Sequence, residues 1–138
     1  MDLRLISANA LTHSPLFVGL LSLLLLALGL NSSRLRVKLG IYRGDGGNPA
    51  MAAAERAHGN TLEHAVPLMI LLVLLELSGV AKGTIVALGT VAVLVRVLRA
   101  GGMLMRVRPI GMTGVVGTYL LEGLMATWLV IRSLERMG

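Results

Sequence analysis

Arg56, Asn60 and Glu63 are spaced i, i+4, i+7, which sets a guanidinium, an amide and a carboxylate on one face of a helix. Guanidinium binds a carboxylate through a two-pronged hydrogen bond, and a carboxylate accepts from an ammonium. The face therefore suits a small zwitterionic, peptide-like anion. Further along, GVAKG at 79–83 reads as a tight turn between antiparallel helices. Pairing the chain about residue 81 puts Arg96 and Arg99 opposite Val66 and Glu63, so two more cations meet the acid. The same arithmetic about the next turn brings Arg106 and Arg108 to that end, and Arg34 and Arg36 arrive there from the end of the first apolar stretch.

Other ionisable groups invite plainer readings. Arg36, Lys38, Arg43 and Arg106 suit snorkelling to phosphate head groups. Glu122 falls halfway along the fourth apolar stretch, where an ionised side chain costs several kcal/mol unless it is paired. Arg96 is its nearest partner by the hairpin arithmetic, so a structural ion pair between Arg96 and Glu122 is expected. A transport carboxylate is the sharper alternative. Glu76 lies near the opposite interface and is expected to face head-group water. His58 and His64 are six apart, neither i+3 nor i+4, and His13 lies towards the other side, so no metal or haem pair is expected. The chain has no cysteine, which excludes disulfides, thiolate metal sites and a protein thiol nucleophile.

The elements that must hold these groups follow from composition. Of 138 residues, 55% are in the set AVILMFWYC and 17 more are glycine, whereas only 14% are charged. That balance excludes a disordered chain and argues against a water-soluble globule. Four apolar segments, about 12–33, 50–79, 83–104 and 109–135, are each long enough to cross a bilayer. They predict an all-α, integral membrane four-helix bundle occupying 1–138 as one domain. A cleavable signal peptide is disfavoured, because the first apolar run is too long, its flank holds only Arg4 beside Asp2, and no small-x-small cleavage site follows. The second segment projects beyond the lipid through MAAAERAHGNTLEH, and Pro67 predicts a kink in it.

Four spans leave Arg4, Lys82, Arg132 and Arg136 on one side and Arg34, Arg36, Lys38, Arg43, Arg56, Arg96, Arg99, Arg106 and Arg108 on the other. Positive-inside bias then puts loops 1 and 3 in the cytoplasm and both termini opposite, and accounts for most of the net +6. With Tyr42, Tyr119, Trp128 and Phe17 as the only aromatics, there is no stacking platform for bases, and no nucleic-acid partner is expected. Gly111, Gly114, Gly117 and Thr118 form a small-residue stripe that would let helices approach closely. The GDGGNP segment at 44–49 is a loop by its turn chemistry, and its single Asp makes no calcium site.

Arg56-Ala57-His58-Gly59-Asn60-Thr61-Leu62-Glu63 followed by Val66-Pro67 resembles the second-helix signature of the membrane-associated proteins in eicosanoid and glutathione metabolism (MAPEG). Length, four spans, orientation, the RLRVK segment at 34–38 and Arg108-Pro-Ile-Gly111 agree with it. The resemblance, to a bacterial-type member similar to microsomal glutathione transferases, implies a homotrimer in the bacterial inner membrane. It also implies one glutathione bound near the cytoplasmic side between neighbouring subunits. By the same resemblance Arg56, Asn60 and Glu63 hold the tripeptide, Arg34 adds a contact and Arg108 stabilises the thiolate as the catalytic residue; Arg99, at a place where the chain departs from the family, is expected to bind glutathione as a substitute donor for a tyrosine. A thiol beside a guanidinium has its pKa lowered, and the thiolate is the nucleophile. Glutathione would be the cosubstrate, with no metal, and a lipophilic electrophile or hydroperoxide would reach it from the membrane lipids.

One departure stands out. Many members carry two tyrosines four apart near the end of the third helix, where this chain reads Arg99-Ala-Gly-Gly-Met103. A non-catalytic glutathione- or lipid-binding scaffold of the same architecture is therefore the principal alternative to a transferase with peroxidase activity. A small four-span multidrug exporter, with Glu122 or Glu76 coupled to protons, is a third reading. Such exporters place their carboxylate in the first span, which here has none.

Overall fold

The computed structural model describes residues 11–138. Arg4 and the N-terminus, counted above on the non-cytoplasmic side, lie outside the described residues.

Four helices follow in chain order: α1 (Ser14–Leu39), α2 (Pro49–Leu77), α3 (Lys82–Leu104) and α4 (Arg108–Met137). Each is long and apolar enough to cross a membrane. α1 runs six residues beyond its uncharged stretch, because Arg34 to Lys38 are helix formers and charge ends a span without ending a helix. Gly40, at φ +64°, then stops it: Ile41 N–H donates to Arg36 O and Gly40 N–H donates to Val37 O. Asn48 opens α2 by accepting from the amides of Ala50 and Met51, with Pro49 at the first helical position. α2 continues as helix through Pro67.

Glu76, expected in head-group water, instead ties the last turn of α2 to the start of α1. Its carboxylate accepts from the amides of Thr12 (3.0 Å), His13 (2.8 Å) and Ser14 (2.9 Å) and from the Ser14 hydroxyl. Unsatisfied amides at a helix start attract an anion, and no local side chain caps α1, so a distant carboxylate takes that place.

The core runs along the bundle from Phe17 and Leu21 on α1 through Leu68, Leu72 and Leu75 on α2 to Ile85 and Ala92 on α3 and Leu121 and Met125 on α4. α3 and α4 pack most closely. A Cβ on Gly102 would collide with the backbone of Gly111, and one on Gly114 would lie 2.5 Å from the amide nitrogen of Arg99. The predicted small-residue stripe thus forms the contact between these two helices. Large apolar side chains such as Leu16, Leu23, Leu30, Leu120 and Leu124 remain more than half exposed, as surfaces meeting lipid or other apolar helices require.

Candidate functional site

The end of α3 and the starts of α2 and α4 meet at one end of the bundle, around a cavity of about 530 Å³. Arg56 of α2, Arg99 of α3, Arg108 of α4 and Arg106 of the connecting turn line it, with Asp45 from the first loop. A second recess of about 480 Å³ shares Arg56, Arg99 and Met103 with the first and adds Asn60, Glu63 and Glu55. The two make one groove along the face of α2 that bears Arg56, Asn60 and Glu63.

Local structure explains the concentration of positive potential. Two helices begin at the groove: Pro49, Ala52 and Ala53 of α2, and Arg108 and Gly111 of α4 with Val107 just before it, line its wall. Their partial positive ends add to the guanidiniums, and no side chain caps α4 at Val107. Arg106 holds φ at +58°, the only non-glycine residue among those described with positive φ. The turn is closed by Val107 N–H donating to Gly102 O and Met105 N–H donating to Gly101 O. Asp45 is held in an Asx turn, its Oδ1 accepting from Gly47 N–H at 2.9 Å.

Behind the groove lies Arg96, which is 1% exposed. Its Nη2 donates to the backbone oxygen (2.8 Å) and side-chain Oδ1 (2.9 Å) of Asn60 and to the Thr61 hydroxyl, and its Nη1 donates to the Thr118 hydroxyl (3.2 Å). Arg99 Nε also donates to Asn60 Oδ1, at 3.3 Å. With its amide oxygen claimed by two arginines, the hydrogen-bonding group left to Asn60, which lines the second recess, is its amide nitrogen, a donor.

Several expectations are revised. Arg96 and Glu122 form no ion pair: Arg96 reaches Asn60, Thr61 and Thr118, while Glu122 Oε2 shares a 2.8 Å hydrogen bond with Nδ1 of His64. The hairpin arithmetic took account of α3 and α4, whereas at this depth α2 packs on α4 and brings an imidazole nearer. His64, for which the sequence names no partner, is therefore the partner of the deep carboxylate. Arg36 pairs with Glu55 of α2 and donates to Gly44 O at 3.1 Å, so it clamps the first loop instead of reaching for lipid. Arg34 is exposed and lines neither recess. The structure thus brings Arg56, Asn60, Glu63, Arg99 and Arg108 together within one chain and leaves Arg34 apart.

Asp45 and Arg106 join the groove although they had been read as loop and lipid contact. The available signal was their nearness to the starts of α2 and α4. Among the described residues no group of three or more His, Asp or Glu side chains could hold a metal ion.

The groove carries more positive than negative charge and fits a small ligand whose anionic groups outnumber its cationic ones. Four guanidiniums and two helix starts face Asp45 and Glu63, while Glu55 is engaged by Arg36.

The model of the MAPEG family matches residues 14–131. No curated protein and no solved structure matches the chain.

Proposed function

Because the chain belongs to the MAPEG family, we propose that it is a membrane-embedded glutathione transferase that ionises bound glutathione and directs the thiolate at lipophilic electrophiles or hydroperoxides. The family includes glutathione transferases and other enzymes. The observation that carries the reading is the shared groove of Arg56, Asn60, Glu63, Arg99 and Arg108 at one rim of four apolar helices.

Glutathione offers two carboxylates, one ammonium and a thiol. Arg56 and Arg99 match the carboxylates, Glu63 the ammonium and the amide nitrogen of Asn60 a peptide carbonyl. Arg108 and the α4 start favour the thiolate over the thiol, and the released proton passes to water at the groove mouth. The thiolate sulfur then attacks an electrophilic carbon and displaces its leaving group. With a hydroperoxide it takes the distal oxygen with its hydrogen as the O–O bond breaks, and becomes a sulfenic acid. The alkoxide takes a proton from water to leave as the alcohol, and a second glutathione converts the sulfenic acid to disulfide and water. Holding both reactants at one rim supplies proximity, and fixed positive groups stabilise the developing anion.

In this reading the assembly is a homotrimer in a bacterial inner membrane, with loops 1 and 3 cytoplasmic. Arg34, exposed and outside the groove of its own chain, would then serve the groove of a neighbouring copy.

A second reading, a glutathione-binding scaffold without turnover, is favoured by one feature: no tyrosine lines the groove. Tyr42 is 95% exposed on the first loop, and Tyr119 packs against His64 deeper in the bundle. Ultraviolet difference spectroscopy of detergent-purified protein titrated with glutathione at neutral pH separates the two. A saturable thiolate band that Arg108→Ala abolishes is expected of the transferase. Binding without the band would establish the scaffold, and no binding would sink both.

A further inference from the structure

His64, Glu122 and Tyr119 have no part in the chemistry above, yet they sit at a depth where a carboxylate costs several kcal/mol unless it is matched. His64 Nδ1 and Glu122 Oε2 are 2.8 Å apart, and the Tyr119 ring meets the imidazole edge-on with centroids 5.3 Å apart. The pair is not sealed in: the two side chains keep 18% and 19% of their exposure, and Tyr119 is 59% exposed. Among the described residues Glu122 Oε1, the second imidazole nitrogen and the phenol hydroxyl have no hydrogen-bond partner, which leaves them to meet something from outside the bundle.

The position of the cluster says what that is. Arg108, Met112, Val115, Tyr119 and Glu122 follow at i, i+4, i+7, i+11 and i+14, one stripe on α4. Arg108 and Met112 line the rim cavity, so the stripe leads from the thiolate-stabilising arginine over apolar side chains to the polar cluster. At the rise of an α-helix, Tyr119 lies about 16 Å and Glu122 about 21 Å along α4 from Arg108. A molecule laid on this lane needs an electrophile at one end, an apolar middle and a polar group at the other.

We propose that His64, Tyr119 and Glu122 form a second substrate subsite, which receives a hydroxyl group at the far end of an elongated lipophilic electrophile. A hydroxyl donates to the Glu122 carboxylate and costs far less to carry into hydrocarbon than a charged group. A carboxylate at that end would meet the charge of Glu122, and an ammonium would have to lose its hydration. The inference rests on the transferase reading for its electrophile, but the subsite itself is measurable without turnover.

Isothermal titration calorimetry of the detergent-purified, glutathione-loaded protein compares a saturated long-chain alcohol with its methyl ether, which lacks the donor. The alcohol is expected to bind about tenfold tighter, the worth of a hydrogen bond to a charged acceptor in a partly wet site. Glu122→Leu abolishes that preference. Because Glu122→Leu strips His64 of its partner and endangers folding, Glu122→Gln is the second variant: it keeps an acceptor for His64 but no charge, and the preference drops to about threefold or less. Equal binding of alcohol and ether by the natural protein overturns the proposal, as does a preference that survives in Glu122→Gln undiminished. So does tighter binding of the matched long-chain amine, which would make the cluster a cation site. An alcohol preference without a thiolate band leaves the subsite standing and removes the transferase; a band without the preference does the reverse.

Discussion

Among the described residues Arg96 has the largest of the fully buried side chains, and its bonds fall on Asn60, Thr61 and Thr118, with no carboxylate of those residues within ion-pair distance. It holds the backbone and side-chain oxygens of Asn60, which leaves the amide nitrogen to donate, so its loss should be felt in the groove as well as in the fold. Lysine cannot reproduce the planar fork that spans α2 and α4. Arg96→Lys is expected to cost about 2 kcal/mol of stability and to weaken glutathione binding severalfold, read by thermal unfolding in detergent and by calorimetry. On the groove surface the division of labour is testable. Arg56→Ala and Glu63→Gln should weaken glutathione binding about tenfold or more, since each removes one charged partner. Arg108→Ala should leave binding closer to normal and suppress the thiolate band and turnover. Equal losses of binding in all three would refute that assignment. The spacing of Arg56, Asn60 and Glu63 was legible because i, i+4, i+7 defines a helix face whatever the tertiary structure. The partner of Glu122 was not, because it depends on which third helix packs beside a hairpin.

At the scale of elements, the contact between α3 and α4 depends on glycine at two positions that face backbone. Gly102→Ala and Gly114→Ala each place a methyl against main chain that has no rotamer to change. Each is expected to lower stability by about 1–3 kcal/mol, the range for overpacking. Gly101→Ala is the control: its Cβ would meet the Met105 methyl at an ordinary 3.6 Å, and unfolding temperature should hardly change. The clamp between α2 and α1 makes a second prediction. Glu76→Ala leaves three helix-start amides without their acceptor, and a loss of about 2 kcal/mol is expected, the upper end for a helix cap. Intact stability in Glu76→Ala would mean that water or lipid satisfies those amides equally well. Helix ends were readable where turn chemistry marks them, as at the GDGGNP loop before α2, and less so at the end of α1. There the apolar stretch stops at Ser33 and the helix does not.

For the whole molecule, the unequal basic charge at the two rims makes orientation the question to measure. The cysteine-free sequence lets single cysteines report sidedness without background. Tyr42→Cys, in the exposed first loop, is expected to react with a membrane-impermeant maleimide only after the cytoplasmic side is opened. Lys82→Cys, at the turn between α2 and α3, should react from outside in intact spheroplasts. The reverse pattern would invert the proposed topology and put the groove on the far side of the membrane.

Composition and periodicity by themselves determined that this chain forms four apolar helices, that its basic charge gathers at one rim, and that one face of α2 carries an arginine, an amide and an acid. These are properties of local spacing and of transfer free energy, which need no knowledge of neighbours. Only the tertiary structure decided that Arg96 turns inward to Asn60, that His64 and not Arg96 meets Glu122, that Glu76 caps a helix from across the bundle, and that Arg34 stands outside the groove. Each of those outcomes is a choice among partners at similar depth. It is settled by the rotation of each helix about its axis and by the close approach that Gly102 and Gly114 permit, quantities that no single stretch of sequence contains.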